Sequence, residues 1–249
     1  MSSDNPYNPP SFSTEYGAIP ERGGIRNVKT EIGDVLNYAF RVWKENLGLL
    51  VGATLIVFGV VIAFGIFNAV IDVVLKGGLE RPPTLTSVLV SIPLTILSNV
   101  LQIFIGIGHV KLLLALLRGQ NASLGMLFSG GDRFLPTLGV SILLGIGFLA
   151  CIIPGIVIML LYWPAYFLVV DQRKPVFESF SLARTITQGN ELTSFLAVLL
   201  VFGIIFVGLL CLCLGVIVAQ PLAVLLFPCA YLVMSGQLDP KRDPSQLLS

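Results

Sequence analysis

The chain has 249 residues, of which 55% are apolar and 12% are charged, and its formal net charge is +1. Soluble domains carry about 25% charged residues, so the composition excludes an ordinary soluble fold and predicts a polytopic membrane protein. The near-zero charge argues against a nucleic-acid surface. The single histidine excludes paired imidazoles, and the four cysteines show no C-x-x-C spacing. We therefore expect no metal, no other cofactor and no enzymatic activity.

The amino-terminal part of the chain changes character near residue 30. Residues 1–29 are rich in Pro, Asn and Ser and lack apolar periodicity, which predicts a disordered cytoplasmic tail. From Ile32 to Trp43 apolar residues recur at helical spacing, with Thr30 as the predicted N-cap. This amphipathic helix suits either the membrane interface or the protein's own cytoplasmic face. The two placements are compatible, and both remain open.

The apolar stretches that follow predict six membrane spans. A crossing takes about 20 residues, so two stretches suit one span each, while the other two are long enough for two spans and need an internal turn. We place these turns at Pro154–Gly155 and around Gly215, with Gln220–Pro221 as a less favoured corner for the second. The four stretches are Leu47–Leu75, Leu85–Ile107, Leu135–Val170 and Phe195–Met234.

The distribution of basic residues predicts the orientation of these spans. With a cytoplasmic amino terminus, only Lys76 and Arg81 of the 15 Lys and Arg residues lie in outer segments. This bias fits the positive-inside rule with both termini in the cytoplasm. The predicted fold is therefore an all-α, multi-pass bundle of six transmembrane helices in the cell membrane. The six-span domain covers residues 30–236, and a short cytoplasmic tail covers residues 237–249.

Each of two predicted cytoplasmic loops contains a short surface helix that precedes a hairpin of two spans, as the helix near Ile32 does. One helix is predicted to start at Ser123, and the next begins with Pro175 as its first helical position and stops at Gly189–Asn190. Together with the helix near Ile32, they suggest a degenerate threefold repeat of surface helix plus hairpin.

The loops and the third and fourth predicted spans carry a distinctive pattern. It consists of Arg118–Gln120, Leu127–Gly130, Phe134, Ile152–Val157, Trp163–Asp171, Phe177–Arg184 and Gly189. This pattern resembles a broad group of prokaryotic six-span membrane proteins of unknown function, which includes the membrane domain found with some glycerophosphodiester phosphodiesterases. The resemblance covers roughly residues 30–236 and implies a six-span fold in the cell inner membrane. It implies no catalytic residues, and no phosphodiesterase activity, because the catalytic barrel of those enzymes is not in this sequence.

Polar residues within the first two spans are candidate functional residues. Asn68, Asp72, Asn99 and Gln102 lie in these spans, and His109 follows the second one. Polar groups at membrane depth often mark a proton or solute pathway. The alternative is that the amides make interhelical hydrogen bonds and that Asp72 lies at the interface.

Basic residues next to the cytoplasmic apolar faces are candidate contact residues. They act either in interactions with other proteins or only as determinants of topology. Two functions follow: a membrane scaffold or assembly protein whose partners are the lipid bilayer and other membrane proteins, or a small transporter or channel. The candidate contact residues are Arg41, Lys44, Arg133, Arg173, Lys174 and Arg184.

Overall fold

The computed structural model describes residues 25–76, 78, 82, 84–150, 152–210 and 214–241. Over these residues the protein is helical and contains no strand. Two short 3₁₀ helices, Leu124–Phe128 and Gly130–Arg133, lie between α3 and α4. The α-helices are α1 Ile32–Glu45, α2 Leu47–Lys76, α3 Leu85–Leu117, α4 Phe134–Ala150, α5 Ile152–Tyr162, α6 Pro164–Asp171, α7 Val176–Thr187, α8 Glu191–Leu210 and α9 Leu214–Met234.

Four of the described helices are long and apolar enough to cross a membrane. They are α2, α3, α8 and α9. The predicted third span corresponds to α4, which has 17 residues. The predicted fourth span corresponds to α5 and α6, which meet at Trp163. Trp163 keeps helical φ and ψ angles of −53° and −31°, and Pro164, which has no backbone N–H to donate, opens α6. The all-helical class is thus confirmed, and four of the six predicted spans meet the length and composition of a membrane-crossing helix.

The turn predicted at Pro154–Gly155 is wrong by about one helical turn. Helix α4 ends at Ala150 and α5 begins at Ile152, so Pro154 lies in the first turn of α5. The first N–H groups of a helix have no intrahelical acceptor, so a proline in this position, which lacks an N–H, removes no intrahelical hydrogen bond. The second turn agrees with the prediction, since α8 ends at Leu210 and α9 begins just before Gly215, with Pro221 inside α9.

The hydrophobic core lies where the C-terminal ends of α3, α6 and α9 meet α1 and α7. We call this region the inner end of the bundle. Away from it, the helices expose large apolar side chains, for example Val74, Leu85 and Phe202, which are 68–77% exposed. A water-soluble protein rarely exposes so much apolar surface. These surfaces are those expected to face the hydrocarbon of a bilayer.

Helix α1 packs lengthwise on α9. The thiol of Cys229 contacts the Val35 carbonyl at 3.6 Å, and the Trp43 indole N–H donates to the Val218 carbonyl at 3.2 Å. The face of α1 that contains Val35 and Tyr38 is buried, whereas Phe40 remains 48% exposed. Of the two placements left open by the sequence, packing on the protein itself is therefore realised.

The predicted N-cap of α1 is wrong. Glu31 occupies the cap position and makes no side-chain cap hydrogen bond. Thr30 is buried, and its backbone N–H donates to the Asn190 side-chain oxygen at 2.9 Å. A partner 160 residues away in the chain has taken the place of the local capping interaction.

The predicted surface helices differ from one another. Helix α7 follows Pro175 directly, so this proline flanks the helix and is not its first residue, and the predicted stop is confirmed by Gly189 with φ +80°. The segment after Ser123 instead forms 3₁₀ turns packed on α3. There, a Cβ atom on Gly108 would lie 2.1 Å from the Leu127 carbonyl oxygen. The middle unit is thus unlike the other two, and a threefold repeat of α-helix plus hairpin is not realised.

Candidate functional site

The polar residues predicted within the first two spans do not converge. The Asn68 side-chain amide donates to Ser98 Oγ at 2.8 Å and so joins α2 to α3, as an interhelical hydrogen bond was expected to do. Asp72 forms an i, i+4 ion pair with Lys76 at 2.6 Å. Asn99 is exposed and donates to the Thr95 carbonyl of its own helix at 2.8 Å, so it makes no such link between helices.

The other two predicted pathway residues lie further along α3. Gln102 is exposed and His109 is partly buried. None of the five predicted pathway residues lines either of the two cavities described below.

Most of the predicted contact residues are paired. Arg41 donates to the Pro240 carbonyl at 3.3 Å and lies over the Tyr38 ring, while Lys44 is exposed. Two pairs are surface ion pairs of small energetic value. They are Lys174–Glu178 at 2.6 Å and Arg184–Glu191 at 3.4 Å.

Arg173 and Arg133 differ from the other predicted contact residues. Arg173 is 64% exposed at the side chain, has a positive φ of 56°, and lies 3.9 Å from Asp132. The Nε atom of Arg133 is buried without a hydrogen-bond partner among the described residues. Asp132 also accepts a bond from Lys111 of α3, which ties the loop before α4 to the bundle.

A buried ion pair that the sequence did not single out connects three helices at the inner end. Arg118 donates from Nη1 and Nη2 to the two Asp171 oxygens at 2.7 and 2.6 Å, and from Nη2 to Gln237 Oε1 at 2.8 Å. The Tyr231 hydroxyl donates to Asp171 Oδ2 at 3.1 Å. We call these four residues the charge junction; they link the ends of α3, α6 and α9.

The geometry of the charge junction makes it a specific clamp. Its Arg118 and Asp171 side chains are only 12% and 2% exposed. Burying an ion pair is costly unless both charges are well paired and hydrogen-bonded, and the two parallel N–H···O bonds meet that requirement. Both residues belong to the pattern noted in the sequence, but nothing in a single sequence pairs side chains 53 residues apart.

A second buried network holds the segment that precedes α1. The Asn190 side chain accepts from the Thr30 N–H at 2.9 Å and donates to the Val28 carbonyl at 3.0 Å, and Thr193 Oγ1 donates to the Thr30 carbonyl at 2.7 Å. On the other side, the Val28 N–H donates to the Met234 carbonyl at 3.0 Å. We call this network the N-terminal clamp.

The N-terminal clamp includes residues that the sequence analysis assigned to the tail. Arg26 and Val28 are hydrogen-bonded to the end of α9, and Val28 also accepts a bond from Asn190 in the α7–α8 turn. Residues 1–24 lie outside the described residues. The local sequence at Gly189–Asn190 predicts the end of α7, whereas the contacts of Asn190 with Thr30 and Val28 depend on the fold.

Two cavities lie between the helices. The larger, of about 720 Å³, is bounded by α1, α8 and α9, and the smaller, of about 370 Å³, lies among α3–α6, α8 and α9. Both are lined predominantly by apolar side chains; the smaller also includes Trp163, Tyr166 and Gln220. Within the described part of the chain, no group of three His, Cys, Asp or Glu side chains is arranged to hold a metal ion.

Comparisons with known proteins find no family model, no curated protein and no solved structure that matches this chain.

Proposed function

We propose that this protein is a six-span membrane protein without catalytic chemistry of its own, and that its inner end is a rigid docking surface for other membrane proteins. The charge junction is the observation that carries the proposal. It holds the ends of three helices together by directional bonds, and the N-terminal clamp fixes the entry to α1 on the same end. A surface built in this way is preorganised for binding.

The charge junction also supports the proposed topology. In a six-span protein with both termini in the cytoplasm, the second, fourth and sixth spans all end on the cytoplasmic side. The charge junction joins Arg118, Asp171 and Gln237, which follow or close α3, α6 and α9. This arrangement supports a topology in which the three helix ends lie on one side of the membrane and the segment from α4 to α6 returns to the side from which it leaves.

The dimensions of α4 and of the α5–α6 segment are compatible with a membrane hairpin. The 17 residues of α4 extend about 26 Å, against a hydrocarbon thickness of about 30 Å. The two arms pack on each other and carry exposed apolar side chains, including Leu135, Ile146 and Met159. These features favour two further spans and bring the total to six.

The use of the polar side chains favours a scaffold over a transporter. Asn68 is used in a bond to Ser98, Asp72 is paired with Lys76, and Asn99 bonds back to its own helix. A solute pathway needs polar groups that converge on a cavity. The larger cavity offers none, since every residue that lines it is apolar or glycine.

The proposal is tested by replacing exposed basic residues at the inner end. We expect Arg173→Gln with Lys174→Gln to reduce cross-linking to partner proteins in native membranes, as read by mass spectrometry. The matched control is Lys76→Gln. Lys76 is the last residue of α2, on the side opposite the inner end in the proposed topology, and its replacement is expected to leave the partners unchanged. An unchanged partner set, together with substrate-dependent flux in liposomes that Asn99→Leu or Gln102→Leu abolishes, would contradict the proposal and favour a transporter.

A further inference from the structure

The larger cavity is a groove between α1 and the α8–α9 hairpin. Leu36 and Trp43 of α1 form one wall, Leu196 and Ile204 of α8 form the second, and Ala219 of α9 belongs to the third. The indole N–H of Trp43 is already bonded to the Val218 carbonyl. A peptide or polar solute in this groove would leave its own hydrogen-bonding groups unpaired, which is unfavourable in an apolar site.

The groove opens onto the exposed apolar surface of α8. Leu199 and Val207 line it and are still 57% and 60% exposed, and Phe202 and Phe206 lie beside them on α8 as exposed apolar side chains. Both α8 and α9 are among the helices with the length and composition of membrane spans. The mouth of the groove is therefore continuous with the apolar surface of the span.

Glycines determine the shape of the groove. At Gly208 an added Cβ would lie 2.8 Å from the Ala219 Cβ, so α8 and α9 are in close contact near their connection. At Gly203, five residues earlier, an added Cβ would meet nothing within 4 Å. The helices are thus packed tightly at one point and leave an apolar space next to it. Side chains that line an empty space lack dispersion contacts on that side. An apolar occupant that supplies these contacts is therefore favoured.

We propose that this groove is a binding site for one acyl chain of a membrane lipid, held between α1 and the α8–α9 hairpin. Its volume of about 720 Å³ lies within the range of about 300–1,000 Å³ that ligand sites have. Because an acyl chain enters the groove from bilayer hydrocarbon and not from water, its binding rests on dispersion contacts with the groove walls. Residues 1–24 are a poorer match to the groove, because they are rich in Asn, Pro and Ser.

The experiment places a photoreactive leucine analogue at position 36 of the full chain, in vesicles of known phospholipids. Illumination is expected to give a phospholipid adduct at this position, identified by its mass. Gly203→Phe extends a side chain into the groove and is expected to reduce the adduct several-fold. Gly33→Leu, where an added Cβ also meets open space, is expected to do the same from the α1 wall.

The matched control is Gly65→Phe on α2. Its Cβ also meets nothing within 4 Å, but Gly65 does not line the groove. We expect an unchanged adduct in this variant. Cross-links from position 36 to residues 1–24 or to a second copy of the chain would overturn the proposal, and so would a phospholipid adduct that neither Gly203→Phe nor Gly33→Leu reduces.

Discussion

Replacing Arg118 by methionine is expected to destabilise the protein strongly. The guanidinium makes two bonds of 2.7 and 2.6 Å to the Asp171 carboxylate, whose side chain is 2% exposed. Removing one partner of a buried ion pair costs about 3–5 kcal/mol, because a charge is left in a poorly solvated place. Gln237 Oε1 also loses a donor, which adds about 1 kcal/mol. We expect a total loss of about 4–6 kcal/mol in the free energy of unfolding.

The measurement is equilibrium unfolding in mixed micelles, followed by tryptophan fluorescence; the Trp163 ring packs on Phe227 with centroids 5.2 Å apart. Lys174→Met is the matched control, since its i, i+4 pair with Glu178 is on the surface and is worth about 0.3–0.5 kcal/mol. The double variant Arg118→Met with Asp171→Leu buries no unpaired charge and is expected to recover a large part of the loss. Equal losses for Arg118→Met and Lys174→Met would refute this reasoning.

Three further predictions concern the N-terminal clamp, the 3₁₀ segment and the topology. Asn190→Ala removes partners of two backbone groups; we expect a loss of about 1–3 kcal/mol and faster hydrogen exchange at the Thr30 amide. Gly108→Ala is expected to lower the thermal midpoint by displacing the 3₁₀ segment, because its Cβ would lie 2.1 Å from a carbonyl oxygen, whereas Gly145→Ala on α4 meets open space and should not. Reporter fusions in the loops before α4 and α8 should read cytoplasmic and a fusion after Gly78 external; a cytoplasmic signal at Gly78 would reverse the proposed orientation.

Much of the helical organisation could be predicted because its signals are local. The amphipathic period of α1, the proline before α7 and the glycine after it all act within a few residues of the helix ends that they specify. The error at Pro154 has the same origin. Proline signals a break, but it is also tolerated in the first turn of a helix, and only the observed start of α5 at Ile152 separates these two roles.

The candidate site was less accessible to prediction than the helices. Polar residues inside apolar stretches are the candidates that a sequence makes visible. Of these, Asn68 does join two helices, but Asn99 in the next span bonds only to a carbonyl of its own helix. The residues that hold the inner end together lie at the edges of the apolar stretches. In the sequence, Arg118 and Asp171 are charged residues that flank apolar stretches. Their ion pair follows only from the folded structure.

The sequence by itself determined the helical class, the strongly apolar surface of the long helices and the clustering of basic residues on one predicted side. These properties depend on composition and on local periodicity, because the free energy of burying apolar groups is roughly proportional to area and has no direction. The tertiary structure decided which polar groups are partners, where Thr30 is anchored and where an apolar groove remains open. Hydrogen bonds require donor and acceptor within about 3 Å and in line, and that condition depends on how distant segments of the chain are placed in space.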